Sequence, residues 1–337
     1  MQTAGQIAML RLRLLEWYRA CRRDLPWRRT SDPYPIWLAE TMLQQTRVAA
    51  VLPYYERFLE RFPSPAALAA APEAEILAMW AGLGYYSRAR NLHKAAIQIH
   101  DAGAFPGSLD AIRALPGVGD YTAAAVGSIA FHIPIVVVDG NVLRVIARLT
   151  GDSGDIGSQI TRRRIRNHAQ TLLDPRCPGD FNQALMELGA TLCLPRDPQC
   201  GRCPWEHVCE AHARGIEREL PVKLRKQTLR REHRTIAIAE RNGSLLLRQR
   251  GPGDSLMPGF WELPELHELG GDVRAEIIGR FRHSITVHDY HCDVVKSEVV
   301  SRPAGFRWVN RKRLETIPLS TVARKALALR ARALDNK

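Results

Sequence analysis

Four of the chain's seven cysteines fall within seventeen residues: Cys193, Cys200, Cys203 and Cys209, spaced C-x6-C-x2-C-x5-C. Four thiolates in one compact loop suit a tetrahedral metal ion or a cubane iron–sulfur cluster, so this segment must close on itself around a single centre. A typical zinc site pairs two C-x2-C knuckles, and only one is present; ligand type by itself leaves zinc and [4Fe–4S] open. Cys21, Cys177 and Cys292 are scattered, and the odd total argues against a disulfide framework.

At 337 residues the chain has room for two or three domains. With 45% apolar and 25% charged residues it reads as a soluble globular protein. It has no apolar run long enough to span a bilayer, and Met1 to Leu10 lacks the features of a signal peptide, so a cytoplasmic, nucleoid-associated location is expected. A formal net charge of +13 attracts polyanions, of which nucleic acid is the commonest inside a cell.

Residues 7–220 read as nearly all helix, with apolar residues at helical spacing and breaks at Pro26, Pro53, Pro63, Pro72, Gly107 and Pro116. Val142, Val145, Ile146 and Leu149 form one apolar stripe. Arg214 to Arg234 is charge-rich and reads as a solvated connector. Beyond it the pattern changes. Thr235 to Ala239 and Ser244 to Leu247 flank Asn242-Gly243, a two-residue hairpin signal; strand-like runs follow at Ser284–Val287, His291–Val295 and Gly305–Val309, and a helix over Thr321–Leu334 closes the chain. The expected partition is a helical domain over 1–216, a connector over 217–233 and a small α+β domain over 234–337.

Three further segments carry chemistry. In Leu115-Pro116-Gly117-Val118-Gly119, between two helical stretches, paired glycines let the backbone turn tightly and aim N–H groups outward at a helix start, a phosphate-binding geometry. Asp139 follows the apolar run Ile135 to Val138 and precedes the stripe helix. It reads as an N-cap, a position that keeps a carboxylate ionised near the helix dipole. Trp37 to Thr46 (WLAETMLQQT) reads as a helix on which Glu40 shares a face with Ile36, Trp37, Leu43 and Gln44. Pattern alone favours a surface glutamate there, although an apolar setting would raise its pKa.

The cysteine spacing, the LPGVG run and VDGNVLRV together resemble the endonuclease III and MutY group of helix-hairpin-helix DNA glycosylases. The resemblance covers nearly the whole chain. It implies a [4Fe–4S] cluster on Cys193, Cys200, Cys203 and Cys209, structural and DNA-facing, with Arg196 and Arg202 either reaching phosphates or solvated. It implies that Leu115, Gly117, Val118 and Gly119 grip the DNA backbone without reading sequence, and that Asp139 is catalytic. Strand-nicking members carry a lysine two residues past the hairpin's last glycine. Here Tyr121 stands there, which implies hydrolysis without a Schiff base. WLAETMLQQT resembles the MutY signature, and Glu40 falls on its catalytic glutamate, while Leu143 replaces a lysine of some relatives that base removal does not require. The residues matching Arg23, Leu25, Trp27, Arg28 and Gln183 line the pocket for an extruded adenine; those matching Gln45 and Tyr85 wedge into the duplex; Tyr121 and Asn141 orient the site.

Ser255 to Pro264 resembles the GLWEFP element of Nudix folds, but the glutamate box that binds magnesium is missing, which disfavours a nucleotide hydrolase. In the family this domain recognises 8-oxoguanine through a Phe-Ser-His motif. The comparable stretch here is Phe281-Arg282-His283-Ser284, with Arg282 in place of serine and Ser284 expected to point elsewhere along a strand. The implied protein is a monomeric, monofunctional glycosylase acting on duplex DNA with adenine opposite 8-oxoguanine or guanine. The alternatives are a thymine or uracil mismatch glycosylase of the same fold and a non-catalytic iron–sulfur DNA-binding protein.

Overall fold

A computed structural model describes residues 3–224, 230–251, 253–254, 257–270, 275–285, 288–298, 302–314 and 317–335. The helices run α1 (Ala4–Cys21), α2 (Pro33–Leu43), α3 (Val48–Arg61), α4 (Pro65–Ala70), α5 (Glu73–Trp80), α6 (Ser87–Asp101), α7 (Leu109–Arg113), α8 (Asp120–Ala130), α9 (Gly140–Thr150), α10 (Gln159–Leu172), α11 (Pro178–Thr191), α12 (Glu210–Ala213) and α13 (Thr321–Asp335). The strands are β1 (Arg230–Arg241), β2 (Ser244–Gln249), β3 (Trp261–Glu262), β4 (Ala275–Ile285), β5 (His288–Ser297) and β6 (Phe306–Asn310). Two compact units result, one of Met1–Val48, Phe62–Ala66 and Lys94–Lys226, the other of Ala49–Arg61, Ala67–His93 and Gln227–Lys337. Among the described residues no helix is long and apolar enough to cross a membrane.

The first unit is helical around one core. The predicted stripe of α9 (Val142, Val145, Ile146, Leu149) packs with Leu10, Leu14 and Tyr18 of α1, Ile165 and Leu172 of α10, and Phe181, Leu185 and Leu188 of α11. Helix α9 starts at a capping aspartate and stops at Gly151, whose left-handed φ of 64° ends the helix. Helices α7 and α8 flank a tight turn in which Val118 N donates to Leu115 O (3.1 Å) and Gly117 has φ 76°, so the predicted helix-hairpin-helix is formed. The apolar run before Asp139 is extended but joins no sheet. Its backbone is bonded by side chains instead, with Val137 N donating to Asn182 Oδ1 and Val136 N to Gln170 Oε1, both at 2.9 Å.

In the second unit six strands form a sheet in the order β3-β2-β1-β5-β4, with β6 also on β2. Asn242 (φ 48°) and Gly243 (φ 69°) make the predicted hairpin between β1 and β2, both residues left-handed as a two-residue turn requires. β1 pairs parallel with β5, and β4 antiparallel with β5. α13 covers one face through Val322, Ala323 and Ala326. β1 opens at Arg230, within the stretch read as connector; residues 225–229, Ser255, Leu256, Thr286 and Val287 lie outside the described residues.

Candidate active site

Helix α2 is covered on nearly all sides. Tyr34 and every residue from Ile36 to Met42 are buried, Glu40 and Thr41 among them. Glu40 is therefore 5% exposed, and the surface position that pattern alone favoured is corrected by the packing of α2 on α8. The Tyr121 hydroxyl, from the first turn of α8, donates to Glu40 Oε2 at 2.8 Å. Burial, and after it the charge of Asp139, lifts the Glu40 carboxyl from 4.5 to about 7 against the opposing pull of Tyr121 and Arg28. A carboxyl poised there can hold a proton near neutrality and deliver it.

Asp139 caps α9, accepting from Val142 N at 2.7 Å and from Asn141 Nδ2 at 2.9 Å. The cap was expected to set its charge state. Burial proves the larger influence and raises the carboxyl, while the capping bonds pull it down. Both acids act on Tyr121, whose own pKa burial and their charges drive well above 10, so the phenol stays a donor. Asn141 Oδ1 in turn accepts from Arg144 Nη2 (2.9 Å), and Arg144 Nε donates to Cys193 O (2.8 Å). A continuous hydrogen-bond chain thus joins Asp139 to the cysteine loop. It needs α11 close to α9: a Cβ on Gly189 would sit 2.6 Å from the Asn141 Cβ, and Arg144 Nη2 uses the Gly189 carbonyl at 2.8 Å.

Two of the residues expected around an extruded base, Arg23 and Arg28, meet on one acid that sequence reasoning missed. Glu187, one turn past Gln183 on α11 and fully buried, takes Arg23 Nε and Nη2 at 2.7 Å and Arg28 Nη2 at 2.8 Å. Burial pushes its carboxyl up, but the two guanidiniums outweigh it and hold it at about 2. Arg28 also lies over the Tyr18 ring (5.5 Å), and Tyr18 OH donates to Gln183 Oε1 at 3.3 Å. Leu25 and Trp27 are buried beside the turn that carries Arg28. A single glutamate one helical turn from Gln183 was the available sequence signal, but its burial depends on contacts between distant segments.

Residues 38–173 match the HhH-GPD superfamily of base excision DNA repair proteins. The human adenine DNA glycosylase is 32% identical over 95% of this chain and 74% of its own length. The chain belongs to the adenine DNA glycosylase family. The Mycolicibacterium smegmatis adenine DNA glycosylase is 42% identical over 58% of this chain and 67% of its own. Among solved structures, a thermostable thymine-DNA glycosylase superposes with TM-score 0.55 at 30% identity, covering 62% of this chain and 97% of its own. An endonuclease III–DNA complex gives 0.53 at 25% identity, over 64% and 99%. This glycosylase is thus a base excision repair enzyme that hydrolyses N-glycosyl bonds, with the endonuclease III fold in its helical part and an α+β sheet domain after it.

In the hairpin of the glycosylase, Leu115 and Val118 are buried and anchor the turn, while Gly117 and Gly119 are exposed and present backbone outward. Gln45 and Tyr85 are exposed and, among the described residues, are two of five non-glycine residues with left-handed φ (57° and 49°). α2 ends at Leu43, so Gln45 stands in a turn and not, as expected, on the helix. Such strained, displayed residues cluster at contact sites.

All four clustered cysteines line one pocket, with Leu188, Leu192 and Trp205 on its apolar side. Buried Arg148 donates from Nη1 to Cys193 Sγ (3.3 Å), and its carbonyl faces Cys209 Sγ (3.4 Å). Burial pushes the Cys203 thiol up to about 12, an environment that a bound cation would reverse. Four cysteines around one pocket beside a fixed guanidinium suit a metal cofactor, and Cys200, His212 and Glu217 bring ligand atoms within 4.8 Å of one another. Arg202 is exposed, and its Nη1 donates to Gln199 Oε1 at 2.9 Å.

On β4, Phe281 packs on the sheet core, and Arg282 forks onto buried Asp289 (2.7 and 2.5 Å). Ser284 Oγ reaches the same carboxylate at 3.0 Å. Ser284 was expected to point elsewhere; being two residues along a strand from Arg282, it shares that face. His283 faces the other way, with Lys325 Nζ 3.5 Å from its Nδ1.

Proposed function

We propose that the substrate is adenine mispaired with 8-oxoguanine or guanine in duplex DNA, and that the product is an abasic site. The observation that carries this is one protonatable, buried glutamate bonded to Tyr121 within the field of Asp139. Adenine must leave the stack to be reached. In the pocket of Arg23, Leu25, Trp27, Arg28 and Gln183, Glu40 donates its proton to N7, which turns the purine into a neutral leaving group. Asp139 stabilises the oxocarbenium ion that forms as the glycosidic bond breaks, Tyr121 and Asn141 hold the two acids, and water completes hydrolysis. Tyr121 supplies no amine, so no Schiff base forms. Leu115, Gly117, Val118 and Gly119 present the hairpin backbone to phosphates, and Gln45 and Tyr85 enter the duplex.

Cys193, Cys200, Cys203 and Cys209 would hold a [4Fe–4S] cluster, which when bound supplies a fixed charge and a folded loop facing DNA rather than a hydrolytic centre. Residues 1–216, 217–233 and 234–337 act as glycosylase domain, connector and lesion reader, the last through Phe281, Arg282, His283 and Ser284. The enzyme works as a monomer on DNA of the nucleoid. Single-turnover assays on duplexes with A:8-oxoguanine, A:G, T:G and U:G test the reading. Excision of adenine alone, nearly abolished by Glu40→Gln with DNA binding retained, is expected. Excision of thymine or uracil with adenine untouched would replace it with the pyrimidine-mismatch alternative.

A further inference from the structure

Tyr85 does not stand at the surface by chance of packing. Two glycines precede it, Gly82 (φ 114°) and Gly84 (φ 72°), and Tyr85 itself has φ 49° and is 43% exposed. Gly82 cannot be replaced without moving Tyr54, whose hydroxyl lies 2.1 Å from where a Cβ would be and donates to Ala81 O at 3.0 Å. Beneath the loop lies Arg88. It is buried, Nη2 donates to Leu83 O at 3.2 Å and Gly84 O at 3.1 Å, and its guanidinium sits over the rings of Trp80 (5.3 Å) and Tyr85 (5.6 Å). Trp80 Nε1 adds a second donor to Gly84 O at 3.1 Å, and Arg88 N closes on Tyr85 O at 2.9 Å.

Burying a cation here carries a cost. Arg88 is the second residue of α6, where the helix dipole is positive, and burial pushes its pKa down to about 10. What the guanidinium does achieve is to bind both carbonyls before Tyr85 and the face of its ring with one rigid plane. We propose that Arg88 is a positioning residue that holds Tyr85 in its left-handed, outward pose, so that the ring enters the duplex without first being ordered. A preset wedge has lost its conformational entropy on folding rather than on meeting DNA, which favours base extrusion. The inference rests on the reading of Tyr85 as a duplex-entering residue.

The test uses the full-length enzyme with Arg88→Met, Arg88→Lys, Tyr85→Ala and the Tyr85→Ala/Arg88→Met double variant. A 2-aminopurine next to the target adenine reports extrusion by its fluorescence rise, and single-turnover excision is followed in parallel. Arg88→Met is expected to slow extrusion about tenfold or more, the scale of a misplaced contact group. Arg88→Lys should recover part of the rate, and the double variant should be no slower than Tyr85→Ala, because Arg88 acts through that ring. A double variant slowed by the product of the single effects would show a merely structural role and overturn the inference. Slow Tyr85→Ala with Arg88→Met at the wild-type rate would also overturn it, leaving the wedge intact. Tyr85→Ala at the wild-type rate would overturn the wedge reading itself. Where Arg88→Met does not fold, Arg88→Lys, alone and combined with Tyr85→Ala, carries the same cycle.

Discussion

The raised carboxyl of Glu40 is also a statement about stability. A carboxyl that titrates at 4.5 when unfolded and at about 7 when folded binds its proton more tightly in the native state, by about 3 kcal/mol. The folded state then holds the extra proton between these values, so stability declines as pH rises from 4.5 to about 7 and is flat above. Glu40→Gln removes the titration. Whatever the amide gains or loses in packing with Tyr121 is independent of pH, so the informative quantity is the change in the difference between variant and wild type. That difference should shift in favour of the variant by about 2–3 kcal/mol between about pH 5 and about pH 8. Urea unfolding at the two pH values measures it, in the protein that has lost excision. The acid would then be kept at the expense of stability. A difference that stays constant with pH would refute the assignment of the raised pKa to burial of this carboxyl.

Glu187 should show the opposite sign. Its depressed carboxyl contributes stability above 4.5 that is lost as pH falls through about 2, so Glu187→Gln should cost about 3 kcal/mol at neutral pH and progressively less in acid. Urea titrations that find an equal cost at both ends would contradict the pairing with Arg23 and Arg28. Gly189→Ala should drive α11 away from Asn141, lowering stability by about 1–3 kcal/mol and slowing excision together. Thermal unfolding and single-turnover rates check this, and a neutral variant would show that the helices are not held so close.

Much of the helical unit was legible along the chain. Periodicity placed the α9 stripe, Asn-Gly placed the first hairpin of the sheet, and Gly-Val-Gly placed the turn between α7 and α8, because each of these is decided by residues a few positions apart. The side chain of Glu40 was harder to place, since one helix cannot show that its polar side is also covered by another. Glu187, Arg144 and Arg148 were missed for a related reason. A charged residue on an amphipathic helix reads as solvated until the segment that buries it is known.

The sequence by itself determined which chemistry was available: four sulfurs close enough to share a centre, an aspartate at a helix start, a tyrosine in place of a lysine. Those facts are covalent or local, and no packing alters them. Only the tertiary structure decided which carboxyls would be desolvated and which paired. Burial and ion pairing depend on segments far apart in sequence, 164 residues in the case of Arg23 and Glu187, and the same acid is pushed up or down according to what folding brings against it.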